Sequence, residues 1–146
     1  MNRKGLFVVV LSISLSLVAG IAIGRAQQQS VGWGPAVIHV SQMTAADFPA
    51  KAPNATVATK MVAVADGSTV QMQTGHTAKH YHANANEMQY IVSGSGMFWL
   101  GDKQIPVGPG DLIIIPKGTA HGMASDYTAI AIKSPPQDPS DAHPVP

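Results

Sequence analysis

Cysteine is absent from the 146 residues, which excludes disulfides, thiolate metal sites and cysteine nucleophiles together. A lipid anchor carried on cysteine is excluded with them. Charge is sparse: charged residues make up 12% of the chain, the formal net charge is +1, and lysine and arginine stand singly beyond residue 25. Nucleic acid therefore finds no basic patch to bind, and that class of partner is set aside. Aromatic residues amount to 5%, and glutamate occurs once, at Glu87.

A long apolar run occurs at the N terminus. Arg3 and Lys4 precede Leu6 to Ile23, and Gly24-Arg25-Ala26 places small residues at the two positions a signal peptidase reads. Residues 1–26 are expected to be a signal peptide cut before Gln27; the run over residues 6–23 also has the length of an uncleaved membrane anchor. Either fate exports the remainder, to the periplasm or beyond it, or leaves it tethered to the inner membrane. In an oxidising compartment a chain without cysteine must take its stability from its core.

Residues 27–56 form a lead-in. Ala36-Val37-Ile38 is a candidate edge strand with His39 as an ordinary side chain on it, and Met43 to Phe48 suits one helical turn before Pro49 stops it. From Val57 the signals turn regular. Strands are expected at Val57 to Ala65, Ser68 to Gln73, His80 to Ala83, Glu87 to Val92, Met97 to Leu100, Lys103 to Val107, Leu112 to Ile115 and Tyr127 to Lys133. Asp66-Gly67 and Gly101-Asp102 have the composition of two-residue hairpin turns. Leu112-Ile113-Ile114-Ile115 is unbroken and apolar, which suits a strand buried on both faces. Asp111, after Gly108-Pro109-Gly110, reads as a turn-capping carboxylate. Short strands punctuated by Gly, Pro and Asp make residues 57–133 an all-β sandwich or closed barrel. The tail, residues 134–146, carries five prolines and cannot be helix or central strand. It is expected to run extended over a sheet edge, with His143 in solvent.

Four side chains concentrate the chemistry. His80 and His82 are two apart, so a strand points both imidazoles to one face. Glu87 opens the next apolar strand, and His121 follows the turn Lys117-Gly118-Thr119-Ala120. Nitrogen and oxygen donors of this kind suit one divalent ion of Fe, Mn, Ni, Cu or Zn.

The spacing resembles both signature motifs of the cupin superfamily. The first runs Gly, five residues, His-x-His, three or four residues, Glu, six residues, Gly. Here His80-Tyr81-His82, Glu87 and Gly94 fit, and Gly75 stands one residue too close to His80. The second runs Gly, five residues, Pro-x-Gly, two residues, His, three residues, Asn. Gly110, Pro116, Gly118 and His121 fit it, with Ser125 in the final place. The resemblance implies a jelly-roll barrel, the double-stranded β-helix, with His80, His82, Glu87 and His121 as metal ligands.

Alternation along the strands extends the site. Gln89 and Ile91 should follow Glu87 inward, and Met123 should follow His121. His76, if in register with His80, would lie on the ligand face and serve as a proton-transfer group; out of register it is an exposed loop histidine beside Gly75. Tyr90, Trp99 and Met72 are expected to pack in a core or an interface. The cupin fold serves enzymes and binders alike, so function must come from the site. The resemblance implies first a metal-dependent enzyme, dioxygenase-like, acting on a small oxygen-rich molecule. The alternative is a non-catalytic module that holds a metal or small ligand. A homodimer is a further implication, by analogy.

Overall fold

In the computed structural model, residues 35–146 are described, apart from residues 52–54, 66 and 137. The leader or anchor over residues 1–26 lies outside the described residues. The chain enters through two short 3-10 turns, Val40–Gln42 and Ala45–Asp47. The second is pinned where the Thr44 backbone N–H and hydroxyl both donate to the Asp47 carboxylate at 2.7 and 3.0 Å. Residues 35–39 form no strand, contrary to the edge strand expected at Ala36-Val37-Ile38. Val37 is 81% exposed there, so no sheet surface is available to stabilise one.

Eight strands follow: β1 (Val57–Ala65), β2 (Ser68–Tyr81), β3 (Asn86–Ser93), β4 (Gly96–Leu100), β5 (Lys103–Val107), β6 (Leu112–Ile115), β7 (His121–Ser134) and β8 (His143–Pro144). All pairings are antiparallel, and the longest ladder runs in the order β1-β2-β7-β3-β6. β4 pairs with β5 on one side and with the start of β7 on the other, while β8 adds to the end of β2. The long strands β2 and β7 thus belong to both sheets of the jelly roll. They change sheet at irregularities between Gly75 and Thr77 and between Thr77 and His80, where bulges re-aim the chain.

Two expected strands, Ser68 to Gln73 and His80 to Ala83, are therefore one continuous β2. Likewise β7 starts six residues before the expected Tyr127. Gly75 is what makes the bend in β2 possible. Its φ of +119° suits glycine, and a Cβ there would run into the Thr56 carbonyl. The Gly101 turn, with φ of +62°, closes the β4–β5 hairpin as its composition foretold.

Alternation sorts the interior. In β3, Glu87, Gln89 and Ile91 point inward and Met88 and Tyr90 outward. Ile91, Phe98, Ile113, Ile115, Met123, Tyr127 and Ala129 form the main apolar cluster. β6 corrects one expectation: Ile113 and Ile115 are buried, but Leu112 and Ile114 are 60% and 55% exposed. Among the described residues the barrel covers only the inward face of β6. Leu112 faces Tyr90 and Ile114 faces Met88 across the ladder, so the outward surface there is an apolar strip.

Candidate metal centre

The four candidate side chains assemble across the sandwich. His80, at the end of β2, is paired directly with His121, at the start of β7. His82 follows one residue past β2, so these three imidazoles hang from one sheet. Glu87 belongs to the other sheet, between Lys133 of β7 and Ile115 of β6. One ring nitrogen from each of His80, His82 and His121 lies within 4.8 Å of the other two. The Glu87 Oε2 atom stands 3.0 Å from His82 Nε2 and 3.2 Å from His121 Nε2. All three of those side chains are buried to about 1% exposure.

Each imidazole has its Nδ1 against a backbone carbonyl: His80 on Ala78 at 2.9 Å, His121 on Thr119 at 3.0 Å, His82 on Asp141 at 2.7 Å. A carbonyl only accepts, so each Nδ1 carries a proton, and a ring in its neutral form turns the lone pair of Nε2 to the centre. There, His82 Nε2, His121 Nε2 and Glu87 Oε2 are buried without a hydrogen-bonding partner. Lone pairs face lone pairs at 3.0 and 3.2 Å. Buried polar atoms left this way are costly unless something positive sits between them. A divalent cation is the group that fits this donor set, with the carbonyl contacts as the outer support that metal-bound imidazoles usually have.

Burial pushes the Glu87 carboxyl up, but without a metal a proton on Nε2 of His121 or His82 would hydrogen-bond it, and with the Lys133 ammonium this outweighs burial and holds the carboxyl well below the ordinary carboxylate range. Burial, together with the facing His121 and His82 rings, brings His80 down to about 4, against the pull of its Ala78 hydrogen bond. The site therefore presents one carboxylate and unprotonated His80 at neutral pH.

Beside the ligands lies a cavity of about 540 Å³. His80, Glu87, Gln71, Gln73, Gln89 and Lys133 supply much of its polar wall. Registers explain the room. Ala131 sits between Gln71 and Gln89 across the sheet, and Ala129 between Gln73 and Ile91. Small side chains at the row centres leave space that larger ones would fill. A buried relay links the wall: Gln73 Nε2 donates to the Tyr127 hydroxyl at 2.9 Å, Tyr127 donates to Gln89 Oε1 at 3.3 Å, and Gln89 Nε2 donates to Glu87 Oε1 at 2.9 Å. Lys133 Nζ stands 3.7 Å from Glu87 Oε1. Burial pushes Lys133 down and Tyr127 up, to about 12 for the phenol.

His80, His82, Glu87 and His121 stand together as expected, and Gln89 lines the cavity. Ile91 and Met123 do point inward, but into the apolar cluster and not onto the cavity wall. His76 departs further. The irregularity after Gly75 puts Thr77 on the inner face and leaves His76 at the surface, 45% exposed and 2.8 Å from the Asp126 carboxylate. His39 is exposed on the lead-in. His143 is not free in solvent: it stacks on Tyr81 at 5.0 Å. Asp111 caps its turn by accepting the Gly108 N–H at 2.7 Å. Gln71, Gln73, Thr77, Tyr127, Lys133 and Asp141 were not among the expected site residues. The polar alternation Gln71-Met72-Gln73 was the available signal for two of them.

Residues 68–132 match the family described as Cupin domain. No curated protein matches the chain. Among solved structures, a Streptomyces Pac13 variant with uridine aligns at 20% identity and a TM-score of 0.59, covering 70% of this chain and 88% of that one. Pac13 is described as a nucleoside dehydratase. KdgF from Halomonas aligns at 23% identity and a TM-score of 0.55, over 63% of this chain and 90% of that one. An RmlC-like cupin from Shewanella frigidimarina aligns at 14% identity and 0.53, over 64% and 88%. At these identities the likeness speaks for the fold. Residues 68–132 thus match the Cupin domain model, and the fold around them is the double-stranded β-helix of these solved structures.

Proposed function

We propose that this is an exported metal-dependent cupin enzyme that takes a small oxygen-rich molecule into the cavity beside His80, His82, Glu87 and His121. The observation that carries the metal is the set of partnerless buried atoms, His82 Nε2, His121 Nε2 and Glu87 Oε2, converging from two sheets. When bound, a divalent ion supplies Lewis acidity, or redox chemistry if it is iron, manganese or copper.

The chain's own residues define the ligand. Gln71 and Gln73 are each 5% exposed and face the cavity, offering amide donors and acceptors to hydroxyl or carbonyl oxygens. The Tyr127–Gln89–Glu87 relay holds the carboxylate in place, and Lys133 adds positive charge at the same wall. A cavity of about 540 Å³ is of the size that holds metabolite-scale ligands. Solved relatives of this fold include one with uridine, which supports a small polar ligand. Dioxygenase-like chemistry is the first activity to assay, since a redox-capable ion would use open coordination positions directly. Export rests on the composition of residues 1–26.

One observation favours the second reading, a non-catalytic binding module. His76, the proton-transfer group expected from the sequence, lies outside the cavity, paired with Asp126. Elemental analysis of protein purified from the periplasm, without added metal or chelator, tests the first step. About one equivalent of transition metal is expected, followed by oxygen consumption over a panel of small diols and keto acids if the metal is iron. A loaded protein that turns over none of them points to the binding module. A metal-free protein that also refuses these ions on titration overturns the metal assignment.

A further inference from the structure

The three imidazoles are not held alike. His80 and His121 each give Nδ1–H to a carbonyl two residues earlier in their own stretch of chain. His82 gives its proton to Asp141, 59 residues later, in the proline-rich tail. That tail is fastened on several sides. The Asp141 carboxylate is 3% exposed and accepts the backbone N–H groups of Ala83, Asn84 and Ala85 at 2.9 to 3.2 Å, with the Asn84 side-chain amide at 3.0 Å. β8 then pairs with β2 at His80 and Tyr81, and the Val145 N–H donates to the Lys79 carbonyl at 3.1 Å.

We propose that residues 138–145 are a strap that completes the metal centre, with Asp141 as the positioning residue that sets the tautomer and direction of His82. The inference rests on the metal reading above. The Asp141 carboxylate locks the turn just after His82, and its own carbonyl takes the Nδ1 proton. One residue thus fixes both the backbone and the ring of a ligand. Ala142 and Pro144 also line the cavity, so the strap forms part of its wall. Metal on His82 favours the docked strap, and the docked strap favours metal, by the same factor in each direction.

The test uses the full chain, with zinc as the probe. Asp141→Ala is expected to lower zinc affinity by about 10- to 100-fold, the usual range for loss of an outer-shell partner. Asp141→Asn, which keeps one acceptor oxygen, should recover part of that loss. Nitrogen NMR of the metal-free protein adds a readout specific to the ring: in Asp141→Ala, His82 alone should lose its fixed Nδ1–H form, with His80 and His121 unchanged. In the unaltered protein, zinc should slow hydrogen exchange at the Ala83, Asn84, Ala85 and Val145 amides by tenfold or more, a measurement that needs no variant to fold. Exchange indifferent to zinc, or a His82 that keeps Nδ1–H in a folded Asp141→Ala protein, overturns the strap. If the unaltered protein takes up no zinc, the metal reading falls, and the tautomer measurement alone then decides the strap.

Discussion

The two halves of the barrel interior share strands β3 and β7 and carry different loads. Toward the β4–β6 side the inward positions are Ile91, Phe98, Ile113, Ile115 and Met123. Toward β1 and the first half of β2 they are Thr69, Gln71, Gln73, Gln89, Glu87 and Lys133, all buried. The ladder shows the change within single strands: β3 passes from Glu87 through Gln89 to Ile91 at successive inward sites. Apolar burial of this kind contributes about 25 cal/mol per Å², whereas buried polar groups at best recover what their desolvation costs. The apolar half therefore holds the fold, and the polar half is the one that the proposed ligand would occupy.

That division is open to attack from both sides, and the largest effect is expected in the apolar half. Phe98→Ala removes a side chain that is 1% exposed, at a cost of about 3–5 kcal/mol. Denaturant unfolding should register the full loss while metal stoichiometry stays unchanged. Loss of metal in a folded Phe98→Ala protein would show that the halves are not separable.

Glu87→Gln and His121→Ala probe the other half. Each should weaken metal binding on the order of 100-fold, about 2.7 kcal/mol, with unfolding of the metal-free protein changed by much less. His39→Ala and His76→Ala, both away from the cavity, should leave affinity untouched. Equal affinities in all four variants would break the ligand assignment.

The smallest effect is a pH dependence of the metal-free protein. His80 is lowered from 6.5 to about 4 in the folded chain. Between those values the unfolded chain binds a proton that the folded chain refuses, so stability is full above pH 6.5 and falls as pH drops toward 4. Because the ring is partly open to solvent, the loss should be about 1–2 kcal/mol, less than an unscreened shift would give. Glu87 is lowered from 4.5, so its contribution is present above that pH and is lost only in stronger acid. Urea titrations at pH 7 and pH 4.5, with His80→Gln as control, read the first slope. A pH-independent midpoint in the unaltered chain would remove the electrostatic account of the polar half.

Much of this was legible in the sequence, and the reasons are local. The cluster of His80, His82, Glu87 and His121 could be picked out because strand alternation and motif spacing act over a few residues. β1, β5 and β6 fell where their punctuation put them, at Val57–Ala65, Lys103–Val107 and Leu112–Ile115. What escaped was decided by pairing across long separations. Lys133 reaches Glu87 only because the β3–β7 register sets them opposite, and no short-range pattern specifies that register. His76 could go either way, because its direction depended on a register with His80 that the irregularity between Gly75 and Thr77 breaks. The one-sided burial of β6 was equally hidden, since an apolar run does not disclose whether a second layer covers it. Asp141 joins His82 across 59 residues of chain, through a tail whose prolines spoke only of extension.

β7 has a consequence for how such a chain can change over generations. It pairs with β2, β3 and β4, opens with His121, and carries Lys133 one place before its end. A single codon gained between Tyr127 and Lys133 would reverse the facing of every residue downstream of it and slide the register against two neighbours at once. The turn at Gly101-Asp102 imposes a smaller penalty, because lengthening it leaves the facing of both strands intact and puts at risk one bond, from the Gly101 N–H to the Ala120 carbonyl. Divergence in β7 is therefore confined to exchanges of one side chain for another, and new length, with whatever new specificity it brings, must be added at the hairpin ends.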